Sequence, residues 1–187
     1  MREVFHRRVR SAWNGRMIRL DELVEYLDGY LRIAEVPDYP NALNGLQVEG
    51  PGEVRRIGVA VDASEASIRA ALGRGCDLLL VHHGLFWDGN VPVTGRRYRR
   101  LRLLIEGGVA VYSAHLPLDV HPEVGNNVVL ARELGIEVEG TFGEYRGMPV
   151  GVWGRLELSR EALAARLDEV LGGRVRLLPG GPERLRR

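Results

Sequence analysis

From Met17 onward, apolar residues fall at three- and four-residue steps: Leu20, Leu23, Val24, Leu27, Tyr30 and Leu31. That spacing gathers them into one stripe on a helix of 3.6 residues per turn. Pro37 and Pro40 break the pattern, and Asn41, Asn44 and Gly45 continue as a loop. The period then changes. Ile57 to Val61 (IGVAV) and Leu78 to Val81 (LLLV) are continuous apolar runs, as expected of strands buried on both faces. Between them, Ser64 is placed to cap a helix over SEASIRAALGRG, which closes at glycine. Arg96 to Glu106 reads as a further helix with Tyr98, Leu101, Leu104 and Ile105 on its apolar face. Gly107 and Gly108 stop it, and Val109 to Tyr112 form a third strand. A helix over roughly Glu123 to Leu134 follows, closed by Gly135.

This alternation predicts an α/β fold, a mostly parallel sheet flanked by helices and joined by right-handed crossovers. Three segments follow from it. Residues 1–16 carry five arginines against one acid without a helical period, and are expected to be a disordered basic leader. Residues 17–140 form the α/β domain, and residues 141–187 a partial second lobe. The glycine-rich stretch Gly140 to Val152 reads as linker or lobe boundary. Beyond it Ser159 caps a helix with Leu163, Leu167, Val170 and Leu171 inside, and Val175 to Leu178 reads as a short strand.

Composition narrows the function classes. A chain of 187 residues with 45% hydrophobic and 27% charged residues is globular rather than disordered. No apolar run reaches the length of a membrane span or a signal peptide. A single cysteine, Cys76, excludes an internal disulfide, so the cytoplasm is the expected compartment and a small buried hydrophobe the expected role. All 26 strong bases are arginine, which excludes a Schiff-base lysine or a phosphate-loop lysine. The net charge of +1 points to no acidic partner. RRYRRLR (Arg96 to Arg102) suggests a phosphate or nucleic-acid contact, but Tyr98 and Leu101 interleave at helical spacing. A solvated helix face is therefore the expected reading, and nucleic acid is not an expected partner.

In open parallel sheets, functional residues gather past the carboxyl ends of the strands. Here those ends carry Asp62, then His82-His83-Gly84, then Ser113-Ala114-His115 followed by Asp119 and His121. Four of five histidines thus fall in one window at one sheet edge, beside carboxylates, which is the composition of a metal site. Neighbouring side chains in a regular strand face opposite ways. At a strand end entering a glycine loop, His82 and His83 can instead splay towards two neighbouring ions. Asp119 offers a hard anionic ligand, and His115, four residues earlier, a ligand or a donor to one. The competing reading is a set of buried histidines hydrogen-bonded to backbone carbonyls. Asp62 is read as a helix cap ahead of a metal ligand, His121 as an exposed loop residue, and Trp87 either as packing or as a surface for stacking a planar base.

Three segments, NGLQVEG (Asn44 to Gly50), VHHGLFW (Val81 to Trp87) and YSAHLPLDVHPEVGNN (Tyr112 to Asn127), resemble the GTP cyclohydrolase 1 type 2 homologues, also called NIF-three-like dinuclear metal centre proteins. The resemblance implies two divalent ions, with zinc, manganese or iron as candidates. It implies His82 and His83 as ligands to different ions, and Asp119 as ligand to the ion shared with His83. His115 would lie close by. It further implies stacked α/β lobes, a homo-oligomer (a hexamer in the family), and metal-dependent hydrolysis of a purine nucleotide such as GTP. The alternative is a non-catalytic oligomeric interaction protein on the same scaffold. A late H-x-x-x-E motif that completes the family's site has no counterpart after His121, so the second lobe is expected to be incomplete and activity impaired.

Overall fold

The computed structural model describes residues 17–186; the basic leader expected at residues 1–16 lies outside them. The chain divides into two compact units, the division falling between Leu118 and Asp119. In the first, β1 (Ile18–Arg19) leads into helix α1 (Leu20–Tyr30). Strands β2 (Gly45–Val48), β3 (Glu53–Val54) and β4 (Ile57–Asp62) follow, then α2 (Glu65–Gly73), β5 (Leu78–His83), α3 (Gly95–Gly107) and β6 (Ala110–Ser113), and the single turn α4 (Leu116–Asp119) spans the division. Strands β4, β5 and β6 pair in parallel, and β2 closes the four-stranded sheet antiparallel to β6, in the order β2-β6-β5-β4. The mostly parallel α/β sheet is therefore present, with one antiparallel edge strand. A second, two-residue ladder joins β1 to β3.

The continuous apolar runs of β5 and β6 are explained by burial on both faces; that of β4, expected to be buried likewise, is not. On one side, Leu79 and Val81 of β5 and Val111 of β6 pack with Ile68 and Ala71 of α2 and Leu104 of α3; Cys76 is buried there too. On the other, Leu78, Ala110 and Tyr112 pack with Leu20 and Leu23 of α1. Alternate residues serve opposite layers, so both must be apolar. Strand β4 lies at the edge, and there Ile57, Val59 and Val61 are exposed.

The second unit contains α5 (Asn126–Leu134), the antiparallel pair β7 (Glu137–Tyr145) and β8 (Met148–Arg155), β9 (Leu158–Ser159), α6 (Arg160–Leu171) and β10 (Arg184–Leu185), which pairs with β9. Three expectations are corrected here. The glycine-rich stretch from Gly140 is strand, because its glycines sit opposite large rings: a Cβ on Gly140 would meet the Trp153 indole, and one on Gly151 the Phe142 ring. Helix α6 is capped by Ser159, whose hydroxyl accepts from Ala162 N, but none of its side chains is fully buried. Leu163, Leu167 and Val170 are only partly buried and Leu171 is exposed. Residues 175–178 form no strand; the Val175 amide donates to the Asp168 carboxylate instead. No helix among the described residues is long and apolar enough to cross a membrane.

Tyr112 is fully buried, and its hydroxyl donates to Asp28 at 2.7 Å, tying β6 to α1. Burial, reinforced by the Asp28 carboxylate, pushes the Tyr112 pKa well above the usual tyrosine range. Because the folded pKa exceeds the unfolded value of about 10, the stabilisation is complete below pH ~10 and is lost as pH rises through the folded value. Tyr112→Phe is expected to lower unfolding free energy by about 1–2 kcal/mol at neutral pH. In urea titrations, the gap from wild type should narrow above pH ~10; a gap constant into strong alkali would contradict it.

Candidate metal centre

The parallel register aligns the carboxyl ends of three strands. Asp62 lies opposite His83 across β4 and β5, and Val81 opposite Ser113 across β5 and β6, so His115 emerges just beyond the same edge. The three imidazoles meet there. Ring centroids are 4.5 Å apart for His82 and His83, 4.9 Å for His82 and His115, and 5.6 Å for His83 and His115. One ring nitrogen from each lies within 4.8 Å of the others. Adjacent strand positions thus converge at the glycine turn, where strict alternation no longer holds.

Each ring is oriented through Nδ1. His82 Nδ1 faces the Ala114 carbonyl at 3.1 Å, His83 Nδ1 the Asp62 carboxylate at 2.8 Å, and His115 Nδ1 the Asp38 carboxylate at 2.9 Å. Carbonyl and carboxylate oxygens accept, so each Nδ1 donates, which leaves Nε2 as the nitrogen available to a metal. This is the carbonyl- and carboxylate-backed arrangement that orients metal-binding histidines. These three imidazoles could together hold one divalent ion. Asp62, expected to cap a helix, does not: Ser64 caps α2, accepting from Ser67 N at 3.1 Å, and leaves the carboxylate to His83.

Asp38 is the organising group. Its carboxylate accepts from Tyr39 N, Asn44 Nδ2, His115 Nδ1 and Leu116 N, and its side chain is almost fully buried. Burial alone would raise its pKa, but the hydrogen bonds from Asn44, His115, Leu116 and Tyr39 prevail and hold it below the ordinary range. Asn44 Oδ1 also accepts from His115 N at 2.7 Å. Gln47 clamps the other side: Nε2 donates to the Ala42 and Leu43 carbonyls, while Oε1 accepts from Leu85 N at 2.7 Å. Gly84 is required by that clamp, because a Cβ there would collide with the Gln47 side-chain amide. A cleft of about 440 Å³ opens above the rings, lined by Tyr39, Asp62, His83, Trp87 and His115. Trp87 packs edge-on against His115, with centroids 4.8 Å apart.

Two other candidates belong to the second unit. Asp119 begins it, and its Oδ1 accepts from Asn126 Nδ2 at 2.9 Å. His121, expected to be exposed, is buried; its Nδ1 accepts from Glu123 N and Val124 N and closes the turn before α5.

The model of the Duf34/NIF3 (NGG1p interacting factor 3) family matches residues 18–187. The chain belongs to this family. A Deinococcus radiodurans member named GTP cyclohydrolase 1 type 2 homolog is 46% identical over 174 residues, 91% of this chain and 65% of the relative. An Archaeoglobus fulgidus protein of the same name is 44% identical over 170 residues, 91% of this chain and 67% of that protein. The crystal structure of a Thermus thermophilus protein superposes with a TM-score of 0.81 at 46% identity, over 90% of this chain and 68% of the other. The chain thus spans about two thirds of the length of the relatives it matches.

Within this Duf34/NIF3 chain, the NGLQVEG segment acts on the site through Asn44 and Gln47, which set the loops that carry His115 and Leu85. Asp38, Asn44 and Gln47 are the site residues that the sequence reading missed as such. Asp38→Ala is expected to cost roughly 3 kcal/mol in denaturant unfolding, because several buried donors lose their acceptor. A loss under about 0.5 kcal/mol, typical of an ordinary surface site, would refute this role.

Proposed function

We propose that His82, His83 and His115 hold a divalent metal ion and that the protein is a metal-dependent hydrolase acting on a purine nucleotide such as GTP. The observation that carries this reading is the convergence of three imidazoles, each with Nδ1 committed to a fixed acceptor. The relatives' name, GTP cyclohydrolase 1 type 2 homolog, supports the substrate class. When bound, a divalent ion supplies Lewis acidity for polarising a carbon–nitrogen bond and activating water. The chain's own residues do the rest. Asp62 and Asp38 fix the His83 and His115 rings, the Ala114 carbonyl fixes His82, and Tyr39 and Trp87 wall the open cleft. The family resemblance also implies a second ion, which metal stoichiometry decides.

In calorimetry with zinc and manganese, His82→Ala, His83→Ala and His115→Ala should each weaken binding by roughly 100-fold, and Asp62→Asn by about 10-fold. Formate release from GTP should disappear in His83→Ala. Unchanged metal affinity in all three histidine variants rejects the reading. A second reading, a non-catalytic interaction protein, is favoured by the exposed apolar residues Ile57, Val59 and Val61 on edge strand β4. It predicts concentration-dependent self-association in sedimentation velocity and no turnover with any metal added.

A further inference from the structure

The histidine cluster opens on a second cleft. This space of about 400 Å³ shares Asp62, His83 and Trp87 with the first and runs on to Arg96, Arg99 and Arg100 of α3, with the Glu65 and Asp88 carboxylates also in its wall. These arginines belong to the RRYRRLR run, and the structure divides that run by role. Arg102 pairs with Glu106 along the helix, and Arg97 donates to the Gly89 and Val91 carbonyls. The three that line the cleft are less fully matched. Glu65 is shared between Arg69 at 2.7 Å and Arg99 at 3.2 Å, so one carboxylate faces two guanidiniums. Arg96 reaches Asp88 only at 3.8 Å, both groups largely exposed, a contact worth little in water. Arg100 donates to the Ala63 carbonyl, and its Nε is a buried donor without an acceptor among the described residues. The carboxylate of Asp62 is engaged by His83.

We propose that this arginine-lined cleft is a phosphate-binding subsite of the histidine centre, so that the substrate is a phosphorylated small molecule whose reacting end lies at His82, His83 and His115. The proposal deepens the function proposed above and rests on it for the choice of a nucleotide as the ester. Guanidinium forks recognise phosphate oxygens bidentately, and this chain has no lysine to do so. Arg96 lines the cleft from the first turn of helix α3. Burial, and then the like charge of Arg96, disfavours the charged form of Arg100; an anion in the cleft relieves that cost. The shared wall of Asp62, His83 and Trp87 makes the two clefts continuous for one ligand.

The test is equilibrium binding to the full chain in EDTA, followed by tryptophan fluorescence, with GTP, guanosine and inorganic tripolyphosphate as probes. GTP should bind at least 10-fold more tightly than guanosine, and tripolyphosphate should displace it. Arg96→Gln with Arg99→Gln, both exposed positions, should weaken GTP binding at least 10-fold and leave any guanosine binding and zinc binding unchanged. Arg100→Gln should act in the same direction, and Arg102→Gln should leave GTP affinity at the wild-type value. GTP affinity unchanged in the Arg96/Arg99 double variant, equal affinities for GTP and guanosine, or no binding of GTP or tripolyphosphate would each overturn the proposal. Metal affinity is read separately by zinc titration. Loss of the metal reading with arginine-dependent GTP binding intact leaves the subsite standing, and the converse removes the subsite alone.

Discussion

Strand β5 is the constraint on which the first unit depends. It is paired in parallel on both sides and covered on both faces, by α2 and α3 on one and by α1 on the other. A slip of one residue would turn Leu79 and Val81 into the α1 layer and Leu78 into the α2 layer, disturbing two cores at once. The register is therefore fixed at each of its residues. Because β4 and β6 share that register, fixing it also aligns their carboxyl ends. Asp62, His82, His83 and His115 are brought together as a by-product of packing the sheet.

Packing alone would leave the ring orientations loose. Polar side chains from the loop between α1 and β2, and from β2 itself, supply the remaining precision. Asp38 holds the His115 ring and the start of the α4 turn, Asn44 holds the His115 amide, and Gln47 grips the segment that follows the histidine pair. These contacts link residues 38 to 78 positions apart in the chain. They stabilise the site more than the fold, since each replaces an interaction with water and contributes about 1 kcal/mol net while restricting a side chain to one rotamer.

Much of this was legible in the sequence. The apolar runs at 78–81 and 109–112 named two parallel strands because burial on both faces erases polar alternation, the run at 57–61 named the third although one of its faces is exposed, and the strand-end rule placed the histidines at one edge. What was hidden is as instructive. Asp38 sits in a proline-bounded loop, and no periodicity marks it as a hydrogen-bond hub. Asp62 looked like a helix cap because it stands just before a helix; only the cross-strand register reveals His83 as its partner. The glycines of β7 and β8 read as linker because their purpose is to leave room for rings on the paired strand. His121 carries no local sign that its ring nitrogen accepts two amides. In each case the deciding contact is non-local, or lies between backbone and side chain in a turn.

The backing of the three rings is unequal, and this has a consequence for charge. His83 and His115 lean on carboxylates, whereas His82 leans on a neutral carbonyl. Two anions stand directly behind the cluster, so a divalent cation among the rings would produce a centre of nearly zero net charge. Such a centre would bind its ion with little electrostatic penalty, yet exert little long-range attraction on an anionic molecule in solution. Capture and reactivity would then be handled by different parts of the same edge, the one by α3 and the other by the strand ends.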